Sequence, residues 1–296
     1  MPQELLIAII AGLGGMIGWG SADFFAKKTI DRIGSIVTLV WGHLIGTIFF
    51  VLLALFQLII FGELIQIPIN PMVWLGLIFF GTLQMIVYWL AYQGFGKGQV
   101  AVLNPVFASF SGLVAFISIV FLGEATNTIK LIALIVIFAG VILLGFDFKG
   151  LRSKNLNFVP GLKEVSLAAL LAAIWTLGWD KFVGGRDWLA YALLMYTFLT
   201  LAAFVASKLL RVKLSGVKSN LWIFIVGIGL GETIAYAAIS LGYSATSLTS
   251  VVTLISGAFS LPTIILARIF LKEKVTTAQT IGSIVVIAGI IILSLQ

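Results

Sequence analysis

Long apolar runs, separated by short polar segments, make up most of this sequence. Each of ten such runs is close to or above the roughly 20 apolar residues that an α-helix needs to span a bilayer. Because the runs are continuous and lack the alternation of barrel strands, they predict an all-α membrane protein with ten transmembrane helices. The predicted helices lie near residues 5–26, 35–61, 72–95, 100–122, 129–147, 165–183, 188–207, 220–243, 247–270 and 277–295.

The second half of the chain repeats short motifs of the first half. Phe121-Leu122-Gly123-Glu124 recurs 149 residues later as Phe270-Leu271-Lys272-Glu273. One helix earlier the offset is 148, and the pairs are Gln84 with Glu232, Tyr88 with Tyr236, and Gly94 with Gly242. A nearly constant offset over this length predicts a duplicated structural unit.

Each predicted unit holds five helices, and this odd number determines how the units are related. The first unit covers residues 1–148, the second covers 160–296, and a basic linker at 149–159 joins them. After five crossings the chain starts its second unit from the opposite side of the membrane. The units are therefore predicted to be inverted copies related by a pseudo-two-fold axis in the membrane plane, as in many secondary transporters.

The charged residues agree with ten crossings. Of the 18 Lys and Arg residues, fifteen lie in or beside the loops after odd-numbered predicted helices. By the positive-inside rule, these loops are cytoplasmic and both termini are outside.

The chain is 61% hydrophobic and only 10% charged, whereas soluble proteins carry about a quarter charged residues, so soluble classes are excluded. The net charge of +7 is assigned to topology and lipid headgroups rather than to nucleic acid.

Several kinds of chemistry are excluded by missing residue types. The sequence has no cysteine and a single histidine, which rules out disulfides, thiolate metal sites and two-histidine metal sites. It has no nucleotide-binding loop of the Gly-Lys-Ser/Thr kind and no hydrolase or metalloprotease motif. We therefore expect no enzyme activity, no cofactor and no metal.

Polar residues inside the predicted helices are the first candidates for function. An Asp, Lys or Arg at a helix centre costs about 2.5–3.5 kcal/mol on insertion scales, so an intramembrane ionisable group usually serves a function. Glu232 is central in predicted helix 8, and Gln84 lies at the equivalent depth of predicted helix 3. Tyr88 and Tyr236 follow one turn later on the same helix faces. These four residues predict a substrate site, and a hydrogen-bonded structural Glu with packed tyrosines is the alternative.

Two further acids lie nearer the ends of predicted helices. Asp23 is close to the end of predicted helix 1 and Asp180 is close to the end of predicted helix 6. Lys27 and Lys181 offer them local ion pairs, which makes a structural or topological role the alternative to substrate binding.

Aromatic and amide side chains complete the set of candidates. Trp19 and Trp175 either line a cavity or belong to the interfacial aromatic belt. Asn104 precedes Pro105 and can bond to the carbonyl that proline leaves free, or to a solute. His43, in predicted helix 2, is interpreted as a packed residue with satisfied hydrogen bonds.

Two repeated loop acids and several glycines are given structural roles. Glu124 and Glu273 are expected to be exposed and to favour the start of the following helix by about 0.3–1 kcal/mol. The pairs of small residues that predict close helix contacts are Gly14 with Gly18, Gly42 with Gly46, and Gly227 with Gly231.

Short motifs occur in the same order in both halves. The first half holds Trp19-Gly20-Ser21, Tyr88-Trp89-Leu90-Ala91-Tyr92, Asn104-Pro105, Leu122-Gly123-Glu124 and Ala139-Gly140, and the second holds Tyr236-Ala237-Ala238, Leu271-Lys272-Glu273 and Ala288-Gly289. These motifs resemble the EamA-type repeat of the drug/metabolite transporter superfamily. The resemblance implies a central cavity lined mainly by helices 1, 3, 4, 6, 8 and 9, with helix 2 peripheral. Members are usually drawn with cytoplasmic termini, opposite to the charge distribution, so the absolute orientation stays open.

Together these patterns predict a secondary transporter in the plasma or inner cell membrane. We expect alternating access for a small metabolite (an amine, amino acid or related solute), with protons as a coupling ion through Glu232. A sugar or nucleoside-type permease of the same fold and a non-transporting membrane scaffold are the alternatives. The predicted substrate-binding residues are Glu232, Gln84, Tyr88, Tyr236, Trp19, Asp23, Asn104, Trp175 and Asp180.

Overall fold

The structure is a computed structural model that describes residues 3–121, 127–145, 158–246, 252 and 255–294. The described chain is all-helical. Its helices are α1 (Gln3–Ile33), α2 (Ser35–Phe61), α3 (Pro71–Lys97), α4 (Val100–Ala108), α5 (Phe110–Phe121), α6 (Thr128–Gly145), α7 (Leu162–Val183), α8 (Trp188–Leu209), α9 (Trp222–Ala245), α10 (Ser260–Leu266) and α11 (Thr277–Ser294). A 3₁₀ turn at Ser219–Leu221 precedes α9, and a π-helical turn at Ala267–Leu271 continues α10.

Seven of the described helical segments are long and apolar enough to cross a membrane. They are α1, α2, α3, the α4–α5 stretch, α7, α8 and α9 with its preceding turn. Three shorter apolar helices lie at Leu131–Gly140, Ile255–Leu271 and Thr280–Ile292. Each of the ten apolar runs therefore contains a described helix, and the number of ten crossings stays a prediction.

The outer surface of the helix bundle is apolar. Ile59, Ile135 and Ile223 are 77%, 69% and 72% exposed, and many other large aliphatic side chains also point outward. Such a surface is suited to lipid chains and not to water. The chain is a multi-pass membrane protein.

The packing of the helices follows the sequence repeat. Helix α1 of the first half packs along α9 of the second half, and α7 of the second half packs along α3 of the first half. Likewise α2 packs on α9, and α8 packs on α3. In the sequence repeat, α1, α2 and α3 correspond to α7, α8 and α9. The α1–α9 contact therefore corresponds to the α7–α3 contact, and the α2–α9 contact corresponds to the α8–α3 contact. The two halves interlock rather than forming separate bundles.

Close approach of α1 and α9 depends on facing glycines. A Cβ atom on Gly18 would lie 2.5 Å from the Gly231 carbonyl oxygen, and one on Gly231 would lie 2.7 Å from the Gly18 carbonyl oxygen. Helix backbones in direct contact leave no room for a side chain at either position. The close contacts predicted for these two small-residue positions are confirmed.

Helix α1 is longer than predicted and changes the surroundings of Asp23. It continues from the predicted end at residue 26 to Ile33. Lys27 bonds to Asp31 at 2.8 Å and to the Phe95 carbonyl oxygen at 2.7 Å. Its ammonium group thus reaches toward the helix end, and the local ion pair that the spacing allows between Lys27 and Asp23 is not formed.

Glu273 connects the two halves of the chain. It is partly buried, and its carboxylate accepts hydrogen bonds from the backbone N–H groups of Val100 (3.1 Å) and Ala101 (2.8 Å). The side chain of the α4 N-cap residue, Gln99, makes no capping hydrogen bond, so these N–H groups are open to another acceptor. The exposed position and the contact with its own following helix that were predicted for Glu273 are wrong. Glu124 lies outside the described residues.

Candidate functional site

A chain of hydrogen bonds joins α3 and α9 at the centre of the bundle. The Gln84 side-chain amide donates to the Tyr236 hydroxyl, which donates to the Tyr88 hydroxyl at 3.3 Å. The Tyr88 hydroxyl then donates to Glu232 Oε2 at 2.6 Å. All four side chains are buried, and each hydroxyl accepts one bond and donates one. The four residues predicted to lie at one depth are therefore brought together, with the acid as the final acceptor.

Two tryptophans enclose the Tyr236 ring. The Trp19 ring lies 5.5 Å from it and the Trp175 ring 5.9 Å, both edge-on at 83°. The Trp19 indole also lies beside Glu232, although its N–H group is outside hydrogen-bond geometry. The Trp175 indole N–H donates to the Phe80 carbonyl oxygen at 3.1 Å. Both tryptophans belong to the interior here, not to an interfacial belt.

A second buried acid lies on α1. Asp23 is 2% exposed, and its Oδ2 accepts a hydrogen bond of 2.6 Å from the Asn104 side-chain amide. Asn104 thus bonds to Asp23 on another helix and not to the carbonyl freed by Pro105. Its own Oδ1 has no hydrogen-bond partner among the described residues. Asp23 and Asn104 form a polar pair that links α1 to α4.

A small cavity lies between these groups. Its volume is about 30 Å³, which is room for about one water molecule. The residues that line it are Trp19, Asp23, Gln84, Tyr88, Phe107, Phe110, Ala172, Trp175, Thr176 and Phe259. In the conformation described, this space is too small for a metabolite.

The predicted site residues relate to this cavity in three ways. Trp19, Asp23, Gln84, Tyr88 and Trp175 line it directly. A second layer bonds or packs against these residues and consists of Asn104, Glu232 and Tyr236. Asp180, near the end of α7, is absent from the lining and is only partly buried.

One acid and several aromatic rings line the cavity. Among the described residues, the lining holds one carboxyl group, Asp23, and no Lys, Arg or His, while Glu232 lies behind Tyr88. Six aromatic rings provide most of the remaining wall, and aromatic faces attract cations. Gln84, Ala172 and Thr176 complete it. Among the described residues, no group of three or more His, Cys, Asp and Glu side chains is placed to hold a metal ion.

Sequence reasoning missed part of the lining, namely Phe107, Phe110, Ala172, Thr176 and Phe259. One signal was present, because Phe110 and Phe259 are separated by the repeat offset of 149. Their rings stack at 6.3 Å. Phenylalanines are too frequent in this apolar chain, at 23 residues, for the pair to be distinctive without coordinates.

Comparisons with known proteins agree on the family. The model of the EamA-like transporter family matches twice, over residues 6–146 and 160–295. No curated protein matches the chain. A solved chain, described only as the crystal structure of a protein, superposes with a TM-score of 0.68 at 14% identity, covering 97% of this chain and 96% of that one. At such low identity this similarity supports the fold alone. The two family matches extend over nearly the whole sequence, and this chain belongs to the EamA-like transporter family, as a membrane transporter of the drug/metabolite type.

Proposed function

We propose that the chain is a secondary transporter that moves a small cationic metabolite (an amine, amino acid or related solute) across the cell membrane. The observation that carries this proposal is a pair of buried acids at the cavity. Asp23 lines it, Glu232 lies behind the lining residue Tyr88, and no basic residue is among the described lining residues. A buried carboxylate is costly unless a positive partner neutralises it. A substrate amine can supply that charge when it binds, and the aromatic wall adds attraction to a cation.

The architecture proposed is ten spans in two inverted five-helix repeats, with boundaries at residues 1–148 and 160–296. The exchange of α1–α9 contacts with α7–α3 contacts supports it, because an inverted repeat requires such paired contacts. The family matches, which break between residues 146 and 160, also support it. In this architecture, the substrate site lies near the pseudo-two-fold axis and is lined by helices of both halves. Such a position is expected for a solute that crosses the membrane between the two repeats.

Alternating access is the mechanism proposed, and polar contacts at both ends of the bundle support it. At one end Lys97 pairs with Glu164 at 2.6 Å and Glu273 bonds to the start of α4, and both contacts join the two halves. At the other end, Asp187 accepts a 2.7 Å hydrogen bond from the Gln66 backbone N–H. A metabolite has to break the contacts at one end while those at the other end persist. Small polar contacts of this kind can exchange at modest cost.

Uptake by purified protein in proteoliposomes tests the substrate class. We suggest labelled choline as a permanent cation, labelled glycine as an amino acid, and labelled glucose and uridine as uncharged solutes. Saturable uptake of choline or glycine is expected, with competition by the uncharged choline isostere 3,3-dimethyl-1-butanol at least about tenfold weaker, in the range of a charge-assisted contact. Uptake of glucose or uridine alone would establish the sugar or nucleoside permease instead. A scaffold would transport none of the four.

A further inference from the structure

A second polar cluster lies behind the cavity, on the far side of Tyr88. His43 on α2 is fully buried, and its ring centroid lies 4.8 Å from that of Tyr88 and 5.3 Å from that of Tyr196. The ring of Tyr92 lies 6.3 Å away. Only Tyr88 of this cluster also lines the cavity. Helix α2 is therefore not peripheral at this depth, because it brings the imidazole against the inner face of the site.

The hydrogen bonds of His43 define its tautomer. Nδ1 lies 2.8 Å from the Leu39 carbonyl oxygen, and a carbonyl oxygen can only accept. Nδ1 therefore carries the hydrogen of the neutral ring, and Nε2 is an unprotonated acceptor. The backbone carbonyl of His43 accepts a bond of 3.1 Å from Thr200, which holds this turn of α2 against α8. The imidazole thus has an unprotonated acceptor nitrogen, and its ring lies among those of Tyr88, Tyr92 and Tyr196.

Three buried polar atoms in this cluster lack a hydrogen-bond partner among the described residues. They are His43 Nε2, Tyr92 Oη and Tyr196 Oη. Native interiors leave few such atoms unpaired, because each loses its hydrogen bonds to water without a replacement. One unpaired acceptor nitrogen and two unpaired hydroxyls on neighbouring rings match the hydrogen bonds of one buried water, which makes about three.

We propose that His43 Nε2 and the hydroxyls of Tyr92 and Tyr196 bind a buried water, through which His43 exchanges a proton with Glu232 by way of Tyr88. This inference rests on the proposed function, since it assigns the coupling of the same site to a second group. The last step of the path is in place, because Tyr88 already donates to Glu232 Oε2 at 2.6 Å.

The proton transfer balances along this path. The imidazolium Nε2–H bond breaks and its proton goes to the water, while the water passes one of its own protons to Tyr88 Oη. Tyr88 passes its hydroxyl proton to Glu232 Oε2, which becomes a neutral acid. The water and Tyr88 end unchanged, the imidazole ends neutral, and the charges of the pair cancel. In the reverse direction, a cationic solute bound in the cavity favours the carboxylate form of Glu232 and drives the proton to His43.

The groups that face His43 along this path come from three helices. Tyr88 and Tyr92 approach from α3, Tyr196 from α8, and Glu232 and Tyr236 from α9. A further carboxyl group, that of Asp23 on α1, lies within electrostatic range of Tyr92 and Glu232. Glu232 is the carboxyl group in direct contact with the path, and its removal is the sharpest perturbation.

The single histidine allows a direct test by nuclear magnetic resonance of the full chain labelled with ¹⁵N-histidine in lipid bilayers. At neutral pH the wild-type spectrum should show the tautomer with hydrogen on Nδ1, and the Nε2 signal should titrate with pH. Glu232→Gln should move the titration midpoint by about one pH unit or more, as expected for two groups that share a proton. A hydrogen on Nε2, or an unmoved midpoint, would overturn the proposal.

Two hydroxyl deletions on α8 provide a matched pair. Tyr196→Phe removes a hydroxyl of the proposed water site and should change the Nε2 shift. Tyr191→Phe removes a hydroxyl from a buried ring that packs on Phe182 and should leave the Nε2 shift unchanged. Equal spectra for both variants would mean that Tyr196 only packs against the imidazole. The resonance does not depend on transport, so it tests the path even if the substrate class is wrong.

Transport of labelled choline separates coupling from movement of the solute. In His43→Gln proteoliposomes, choline exchange without a pH gradient should continue, while accumulation driven by a pH gradient should fall at least about tenfold, the effect of losing one general acid–base group. If wild-type accumulation ignores the pH gradient, the proton path is wrong although transport stands. If His43→Gln does not fold, Tyr196→Phe should show the same split, and accumulation equal to that of wild type would contradict the path.

Discussion

The hydroxyls of Tyr88 and Tyr236 lie 3.3 Å apart, although the two residues are 148 positions apart in the chain. They occupy equivalent positions in the two halves. Tyr88 bonds to Glu232, one turn before Tyr236, and Tyr236 bonds to Gln84, one turn before Tyr88. The contact therefore joins equivalent residues of the two halves. The two halves differ at this contact, since one supplies the amide of Gln84 and the other supplies the acid Glu232.

Glu232→Gln is expected to weaken binding of a cationic solute by about 1.5–3 kcal/mol, the range of a hydrogen bond to a charged group. The amide oxygen can still accept from Tyr88, so the variant should fold. Because it removes the titratable group, it should also remove the dependence of uptake on pH. Proteoliposome uptake over a range of pH values measures both effects.

A matched control for this change is Glu63→Gln. It also removes one carboxylate, but from an exposed side chain between α2 and α3, away from the cavity. Its affinity and pH profile should stay within about twofold of wild type, since solvent and salt screen an exposed charge. Unchanged affinity and pH profile in Glu232→Gln would make that acid structural and leave Asp23 as the binding group.

Asp23 and Asn104 allow a charge exchange across two helices. Asp23→Asn should weaken cation binding by about 1.5–3 kcal/mol while leaving an amide pair of the same shape. Combining it with Asn104→Asp returns the carboxylate to the same contact and should restore at least part of the affinity. The measurement is binding of the transported solute, followed in a double-mutant cycle. Simple addition of the two losses would show that the pair does not share one site.

Glu273 is expected to stabilise the contact between the halves at the start of α4. Glu273→Ala leaves the N–H groups of Val100 and Ala101 without their acceptor and should cost about 0.5–2 kcal/mol, as for loss of a helix cap. The change can be followed as a lower thermal unfolding midpoint in detergent. Lys274→Ala, an exposed change on the same loop, is the control. Equal midpoints in the two variants would show that the cap contributes nothing measurable.

The absence of cysteine makes the topology testable by single-cysteine labelling. With ten crossings, Lys213→Cys and Lys274→Cys should react from one side of the membrane, and Glu63→Cys and Arg186→Cys from the other. A membrane-impermeant maleimide on intact cells reads the side directly. The positive-inside rule expects Glu63→Cys and Arg186→Cys to react from outside. Labelling of Lys213→Cys and Lys274→Cys on opposite sides would disprove the helix count.

Much of the architecture was accessible from the order of residues. Apolar runs long enough to cross a bilayer identified the helical segments, since a chain in lipid must satisfy its backbone hydrogen bonds within each helix. The repeat offset identified Gln84, Tyr88, Glu232 and Tyr236 as equivalent residues, because equivalent residues in duplicated units occupy equivalent depths. The small residues at Gly18 and Gly231 marked a close contact, since glycine permits backbones to touch.

The partners of these side chains depended on how the helices pack. The pairing of Asp23 with Asn104, the cap that Glu273 places on α4, and the position of His43 behind Tyr88 all join residues more than forty positions apart. No local pattern encodes such pairs, because sequence spacing specifies a helix face but not the neighbour that the face meets. The volume of the cavity likewise follows from the distance between packed helices. Packing decides these features because interiors are close-packed, so a shift of a helix by one turn would bring a different set of side chains together.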